Sequence, residues 1–294
     1  MTTAGAPCCG DPKRSDAGTR PLALPEGGTF PGEGPNLLLA DGGVSAERCN
    51  AVCGPPDAST DSFECRLVSS TDVECTFVYD VCNQPGGRKP SRFVARRSRG
   101  ATREGAWLAA MAQLEAASVF AFETLRDDLA RLGAPADLRR AAEAAIRDEE
   151  RHAALVGALA RYRGAEPCAP RRREARPRSL RAIARENAVE GCVRETFGAL
   201  VAWHQALHAK DADVRTVMRE VAADETRHAA LAFGVDAWAK AKLGPRDVAA
   251  IRRSERDARR TLDLRAPRGI ARSLGLPAAR DARRLASSLF RALA

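Results

Sequence analysis

Apolar residues recur every three or four positions along the chain from about residue 104 to residue 243. This is the spacing of one face of an α-helix, so the whole region is predicted to be helical. Within this region the helical spacing runs through four separate stretches, at residues 104–132, at 136–163, at 179–210, and from Asp211 or Asp213 to Leu243. The first has apolar side chains at Leu108, Met111, Leu114, Val119, Phe122, Leu125, Leu129 and Leu132. The pattern therefore predicts four long helices.

The links between these helices predict their arrangement. The link at residues 133–135 is short, and so is the link near Asp211. Short links favour antiparallel neighbours, whereas residues 164–178, which are rich in proline and arginine, are long enough to cross the length of a bundle. The predicted fold is all-α: a four-helix bundle over residues 101–244, built of two helical hairpins with a long crossover.

The chain before the bundle lacks this periodicity and is predicted to contain two parts. Residues 1–48 are rich in Gly, Pro, Thr and Ser, which indicates a flexible leader. Residues 49–100 are predicted to form a small Cys-rich N-terminal module, with a strand at residues 72–79. Disulfide bonds are favoured over zinc there, because the cysteines do not form two closely spaced pairs. They are Cys49, Cys53, Cys65, Cys75 and Cys82.

The net charge of +9 is concentrated in the basic helical C-terminal tail, residues 245–294, which has 13 Arg against 5 Asp or Glu. We expect short helices with the arginines on a solvated face, and contact of the tail with an acidic partner is the alternative. No run of about 18 apolar residues occurs, so no transmembrane segment is predicted.

Two features of the sequence give opposite expectations for its compartment. Residues 1–20 contain no apolar signal-peptide core, which favours the cytoplasm. A disulfide-bonded module favours an extracytoplasmic location instead. Both expectations stay open at this stage.

A short phrase, Asp-Glu-x-Arg-His-Ala-Ala-Leu, occurs twice, at residues 148–155 and 224–231. Each copy contains Glu-x-x-His, which places Glu149 with His152, and Glu225 with His228, on one face of a helix. The chain has only four histidines, and two of them lie in this repeat. Both glutamates have apolar residues around them at helical spacing, which predicts that they face the core.

The first and third helices each supply one more glutamate in an apolar stripe, Glu115 and Glu190. Glu115 precedes Glu149 by 34 residues and Glu190 precedes Glu225 by 35, which indicates a duplicated hairpin. Glu195 lies about 140° around the third helix from Glu190. We interpret it as a mobile extra ligand, as a group that supports the ligands, or as a partner in an interhelical salt bridge.

Four carboxylates buried together require positive charge nearby. Burying one ionised carboxylate costs several kcal/mol, and four would repel one another. A pair of divalent metal ions satisfies this requirement. Carboxylate and imidazole ligands suit iron or manganese, with positions left open for O2 or peroxide.

Residues 104–243 resemble the ferritin-like superfamily, in particular the rubrerythrin-like and bacterial ferritin-like domain-containing proteins. The resemblance is carried by residues 114–119, 148–153, 189–196 and 224–229, and it covers about half of the chain. It implies a ferritin-like bundle holding two Fe ions, or alternatively Mn. The implied metal ligands are Glu115, Glu149, His152, Glu190, Glu225 and His228. Rubrerythrins also carry a second iron site with two Cys-x-x-Cys pairs, and this sequence has no Cys-x-x-Cys.

The function expected from this resemblance is that of an oxidoreductase acting with O2 or peroxide, in iron oxidation, peroxide reduction or substrate hydroxylation. The alternative is a non-catalytic metal-binding or structural protein whose Cys-rich module recognises a partner. The expected partners are O2 or peroxide, an unidentified substrate or electron donor, an acidic partner for the tail, and a second copy of the chain in a homodimer.

Overall fold

A computed structural model describes residues 21–23, 62–67, 72–79, 87–90, 93, 98–171, 177–262, 264, 266 and 268–293. The predicted leader and much of the Cys-rich module lie outside these residues. The described chain is mostly helical, which confirms the all-α class, and a small antiparallel sheet precedes the helices.

The sheet is organised around one strand. Strand β3, Asp72–Tyr79, covers the predicted strand residues and pairs with β2, Ser62–Leu67, along one edge. The other edge of β3 pairs with β1, Pro21–Ala23, and with β4, Ser98–Gly100. Cys75 on β3 is buried and disulfide-bonded, whereas Cys168 and Cys192 are free thiols. The remaining pairing of the module's cysteines stays a prediction.

The first helical hairpin consists of α1, Arg103–Arg131, and α2, Ala136–Tyr162, which pack along each other. The Thr102 hydroxyl caps α1 by accepting a hydrogen bond from the Gly105 amide. Gly133 turns the chain between the helices with a φ of 67°, a left-handed conformation that favours glycine. Helix α1 is long and apolar enough to cross a membrane, but 83% of its apolar window is buried inside the protein, as in a core helix.

The second hairpin contains the third and fourth predicted helices. Its first arm is continuous but not uniform: α3, Leu180–Glu186, is followed by a π-helical segment, Asn187–Glu195, and then by α4, Thr196–His208. Its second arm is α5, Ala212–Lys240. Both arms begin at a capping side chain: the Ser179 hydroxyl accepts from the Ala182 amide, and the Asp211 carboxylate accepts from the Val214 amide.

The two hairpins pack on each other through α2 and α5, and the π-helical segment also packs on α5. Their shared core is rich in alanine, and small side chains let helix backbones approach closely. This packing brings the central turns of α1, α2, α5 and the π-helical segment together, where the predicted metal ligands lie.

The basic tail folds back onto the bundle. It forms α6, Pro245–Arg260, then α7, Arg268–Leu274, and α8, Ala279–Ala292. Helix α6 packs on α3 and the π-helical segment, α7 on α1, and α8 on α4. Ile270, Leu274 and Phe290 belong to the same apolar core as Trp107 of α1. The tail is therefore part of the folded unit, with its arginines mainly on the outer side.

Candidate metal centre

Two groups of buried side chains in the middle of the bundle have the composition and spacing of metal sites. We define site A as Glu115, Glu149, His152 and Glu225, and site B as Glu149, Glu195, Glu225 and His228. Within each group, one ligand atom from every residue lies within 4.8 Å of the others. Glu149 and Glu225 belong to both groups, so the sites are adjacent and share these two carboxylates.

The six side chains come from four different parts of the bundle. Helix α1 supplies Glu115, and α2 and α5 each supply a glutamate with the histidine one turn later. Glu195 is the last residue of the π-helical segment. All of these residues are at most 2% exposed, so the cluster is sealed from solvent.

The atoms that face one another within the cluster lack hydrogen-bond partners. These atoms are both carboxylate oxygens of Glu149, Glu195 and Glu225, Oε2 of Glu115, and Nδ1 of His152 and His228. His228 Nδ1 lies 3.3 Å from Glu149 Oε1, and His152 Nδ1 lies 3.7 Å from Glu225 Oε1. Buried polar atoms are nearly always satisfied in native proteins. A set of unsatisfied acceptors around one point is the arrangement expected of a metal site.

The other nitrogen of each histidine is held by an aspartate from the opposite copy of the repeated phrase. His152 Nε2 lies 3.0 Å from Asp224 Oδ2, and His228 Nε2 lies 3.3 Å from Asp148 Oδ2. An ionised carboxylate can only accept, so each Nε2 donates its proton to the aspartate. In the neutral form of each ring, which is the form that binds a metal, the lone pair then resides on Nδ1, and this atom points into the cluster. This is how metal-binding histidines are usually oriented.

Two arginines complete the outer layer. Arg151 Nη2 donates to Asp148 Oδ1 at 2.9 Å and also contacts Asp224. Arg227 Nη2 donates to Asp148 Oδ2 at 3.1 Å and contacts Asp224 in turn. Every polar residue that the two copies share therefore has a place: glutamate and histidine face the cluster, aspartate orients the histidine, and arginine holds the aspartates.

Burial and charge shift the proton affinities of these groups in opposite directions. Burial, reinforced by Glu149 and Glu225, raises the pKa of Glu115 well above its usual value. Burial likewise raises the pKa of Glu195 to about 8. Burial alone would raise the pKa of Glu149, but the neighbouring rings of His152 and His228 hold this pKa at about 2. Burial alone would lower the pKa of His228, but Asp148 and the negative charges of the neighbouring glutamates raise it well above its usual value. Without a metal, protons therefore supply part of the balancing charge.

The structure brings five of the six predicted ligands together and leaves Glu190 outside both sites. Glu190 instead accepts a hydrogen bond from Arg194 at 2.5 Å, one turn along. Glu195, and not Glu190, is the fourth carboxylate of the buried cluster. The cause is the π-helical segment, which widens the turn and shifts the residues after it relative to an ideal α-helix. A stripe of Asn187, Gly191 and Glu195, spaced by four, is the sequence signal that favours Glu195.

Gly191 makes room for this arrangement. A Cβ atom added there would lie 2.6 Å from Ala232 Cβ and 3.3 Å from Glu195 Oε2. Only a residue without a side chain lets the segment approach α5 this closely. The Asn187 side-chain amide then donates to the Ala232 carbonyl oxygen at 2.8 Å, which fixes the segment against α5.

Sequence reasoning also missed a cation beside the cluster. Arg88 lies in the segment between strands β3 and β4 of the sheet and is 0% exposed. Its Nη2 donates to Asn187 Oδ1 at 2.8 Å, and its Nη1 lies 3.7 Å from Glu195 Oε2. Gly87, with a φ of 60°, lets the chain pass close to helix α1 just before Arg88, because a Cβ there would lie 2.4 Å from Ser118 Oγ. Helical periodicity carries no information about a residue that arrives from outside the helices.

No protein-family model, curated protein or solved structure matches this chain. Function must therefore be inferred from the buried cluster of glutamates and histidines, which is compatible with a metal site.

Proposed function

We propose that this protein is a ferritin-like, dinuclear metal protein that acts as an oxidoreductase with O2 or peroxide. The single observation that carries the proposal is the pair of adjacent four-ligand sites that share Glu149 and Glu225. One glutamate from each of two helical segments and Glu-x-x-His from two others is the arrangement of di-iron and di-manganese carboxylate bundles.

The donor set fits a pair of hard or intermediate divalent cations. Four carboxylates carry a charge of about −4, which two divalent ions would balance in a medium where unpaired charges are costly. Imidazole together with carboxylate favours iron or manganese over calcium or magnesium, which prefer oxygen ligands alone. Iron is our first choice and manganese the second.

Glu149 and Glu225 would help to hold both metal ions, while Glu115 and His152 would hold one ion and Glu195 and His228 the other. Asp148 and Asp224 keep the imidazole Nδ1 atoms aimed inward. Two bound Fe(II) ions would supply one electron each and become Fe(III), and these two electrons together with two protons from solvent would reduce O2 to hydrogen peroxide, or hydrogen peroxide to two water molecules. The surrounding apolar side chains exclude bulk water, which protects a reactive centre from side reactions.

Anaerobic loading with Fe(II), followed by addition of O2 or hydrogen peroxide, tests this function. We expect rapid oxidant consumption and an absorption change characteristic of Fe(III), each scaling with the bound iron. In Glu149→Ala, which removes a ligand common to both sites, both signals should fall to the level of free Fe(II). Iron that binds but reacts no faster than free Fe(II) would instead support the passive metal-binding alternative.

A further inference from the structure

The segment before the bundle places a permanent positive charge against one side of the metal centre. Arg88 is completely buried, and its Nε and Nη1 atoms have no hydrogen-bond partner. Its guanidinium lies over the ring of Phe122, with 5.6 Å between its central carbon and the ring centroid. A buried arginine in a position this costly is expected to serve a particular purpose.

The neighbours of Arg88 belong to site B and not to site A. Its Nη1 lies 3.7 Å from Glu195 Oε2, and Glu195 is a member of site B alone. Phe122 in turn packs against the ring of His228, the other ligand particular to site B, with 5.0 Å between ring centroids. The two sites otherwise resemble each other, since each has one separate glutamate, one histidine and the two shared glutamates.

We infer that Arg88 makes the two metal sites unequal, so that site A binds its ion tightly and site B holds a weaker, exchangeable ion. This inference rests on the proposed function and names the residue that sets the order of filling. Arg88 is a positioning and charge-balancing residue and is not itself a ligand.

Two physical effects give this inference its direction. A guanidinium beside site B repels an incoming divalent cation, and the repulsion is little screened in a dry core. Arg88 also competes with the metal for the Glu195 carboxylate. When site B is empty, the positive charge of Arg88 partly balances the negative charge of the shared carboxylates. This stabilises the protein with a single metal ion bound at site A.

A purely structural role for Arg88 makes the opposite prediction. Arg88 contacts Asn187 and Glu195, the first and last residues of the π-helical segment. If it served only to hold Glu195 in place, removing it would misplace a ligand and weaken binding at site B. The sign of the change in affinity therefore separates the two roles.

The test is a titration of the metal-free full-length protein with Mn(II), followed by the electron paramagnetic resonance signal of free Mn(II). Wild type should bind in two steps of different affinity. Arg88→Met should tighten the weaker step by about tenfold or more and leave the tighter step nearly unchanged. Arg88→Lys should keep two distinct steps, because it keeps the charge.

Arg194→Met is the matched control, because it also removes one positive charge, here from the π-helical segment that Arg88 contacts. Arg194 pairs with Glu190, outside both sites. The weaker step should therefore change little. Arg88→Gln, which can still hydrogen-bond to Asn187, provides a second neutral variant in case Arg88→Met does not fold, as judged by circular dichroism.

The inference is overturned if wild type binds Mn(II) in two equal steps. It is also overturned if the neutral Arg88 variants bind the second ion with weaker or unchanged affinity. Neither result would contradict the dinuclear site. If wild type binds no Mn(II) and no Fe(II), the proposed function fails together with the inference. If neither neutral variant folds, Arg88→Lys decides: two steps like those of wild type support a role of the charge, and a weakened second step shows that Arg88 only holds Glu195 in place.

Discussion

Asp224 Oδ2 lies 3.0 Å from His152 Nε2, so an aspartate in the second copy of the repeated phrase orients a histidine in the first. Asp148 does the same for His228 at 3.3 Å. The two copies are therefore a reciprocal pair, each supplying ligands of its own and the support for the ligand of the other. This reciprocity explains why the aspartate recurs along with the glutamate and histidine.

Asp224→Asn should weaken metal binding by about 10- to 100-fold, which is the usual effect of removing a group that orients a ligand. The reason is that the amide no longer fixes the ring of His152 with Nδ1 pointing inward. Isothermal titration with Mn(II) measures the change. Asp213→Asn is the control, because Asp213 lies exposed on the same helix. Equal affinities for Asp224→Asn and wild type would mean that the aspartate is not needed.

Glu195→Gln and Glu190→Gln should behave differently, although both residues lie in the π-helical segment. Glu195 faces Glu149, Glu225 and His228, so its neutral variant should lose about one metal ion per chain at micromolar concentrations. Glu190 pairs with Arg194, and its variant should keep both ions. Elemental analysis of the loaded proteins gives the count. The reverse pattern would restore Glu190 as the ligand.

The sequence predicts much of the fold, because α1, α2 and α5 follow the helical period closely and their caps, such as Asp211, are recognisable. It also predicts five of the six side chains in the buried cluster, because the helical period shows which side chains face the core. It names Glu195 only as a possible extra ligand, since a helical wheel with a uniform turn places Glu190 in the apolar stripe instead. It does not indicate Arg88, since the position of that residue depends on how a distant segment packs.

Gly191→Ala should destabilise the protein by about 1–3 kcal/mol, as expected of overpacking in a tight core. The new methyl group would collide with Ala232 Cβ and push the π-helical segment away from α5. Thermal unfolding of the metal-free protein measures this change. Adding Ala232→Gly in the same chain should recover part of the loss, because it removes the colliding atom.

Gly269→Ala is the matched control for this experiment. It lies in helix α7 with nothing within 4 Å of the added Cβ, and alanine is the better helix former. Its stability should be unchanged or slightly higher. A loss for Gly269→Ala as large as that for Gly191→Ala would show that the effect is not specific to the close approach of the π-helical segment.

Metal affinity should fall as the pH is lowered. Burial raises the pKa of Glu195 to about 8 and that of Glu115 well above its usual value, so both tend to keep a proton near neutral pH. A metal ion must displace these protons, and a higher proton concentration opposes it. Between about pH 8 and about pH 6, the apparent dissociation constant should rise by roughly tenfold or more. An affinity that is constant over this range would contradict protonated ligands in the metal-free state.

The count of metal ions bound at equilibrium tests the central claim most directly. The metal-free protein is dialysed anaerobically against a Fe(II) solution, and the iron on the protein side in excess of the free Fe(II) is divided by the protein concentration. We expect about two iron ions per chain in wild type and nearly none in Glu149→Ala, because Glu149 belongs to both sites. Well under one ion per wild-type chain, or full occupancy in Glu149→Ala, would contradict a dinuclear site.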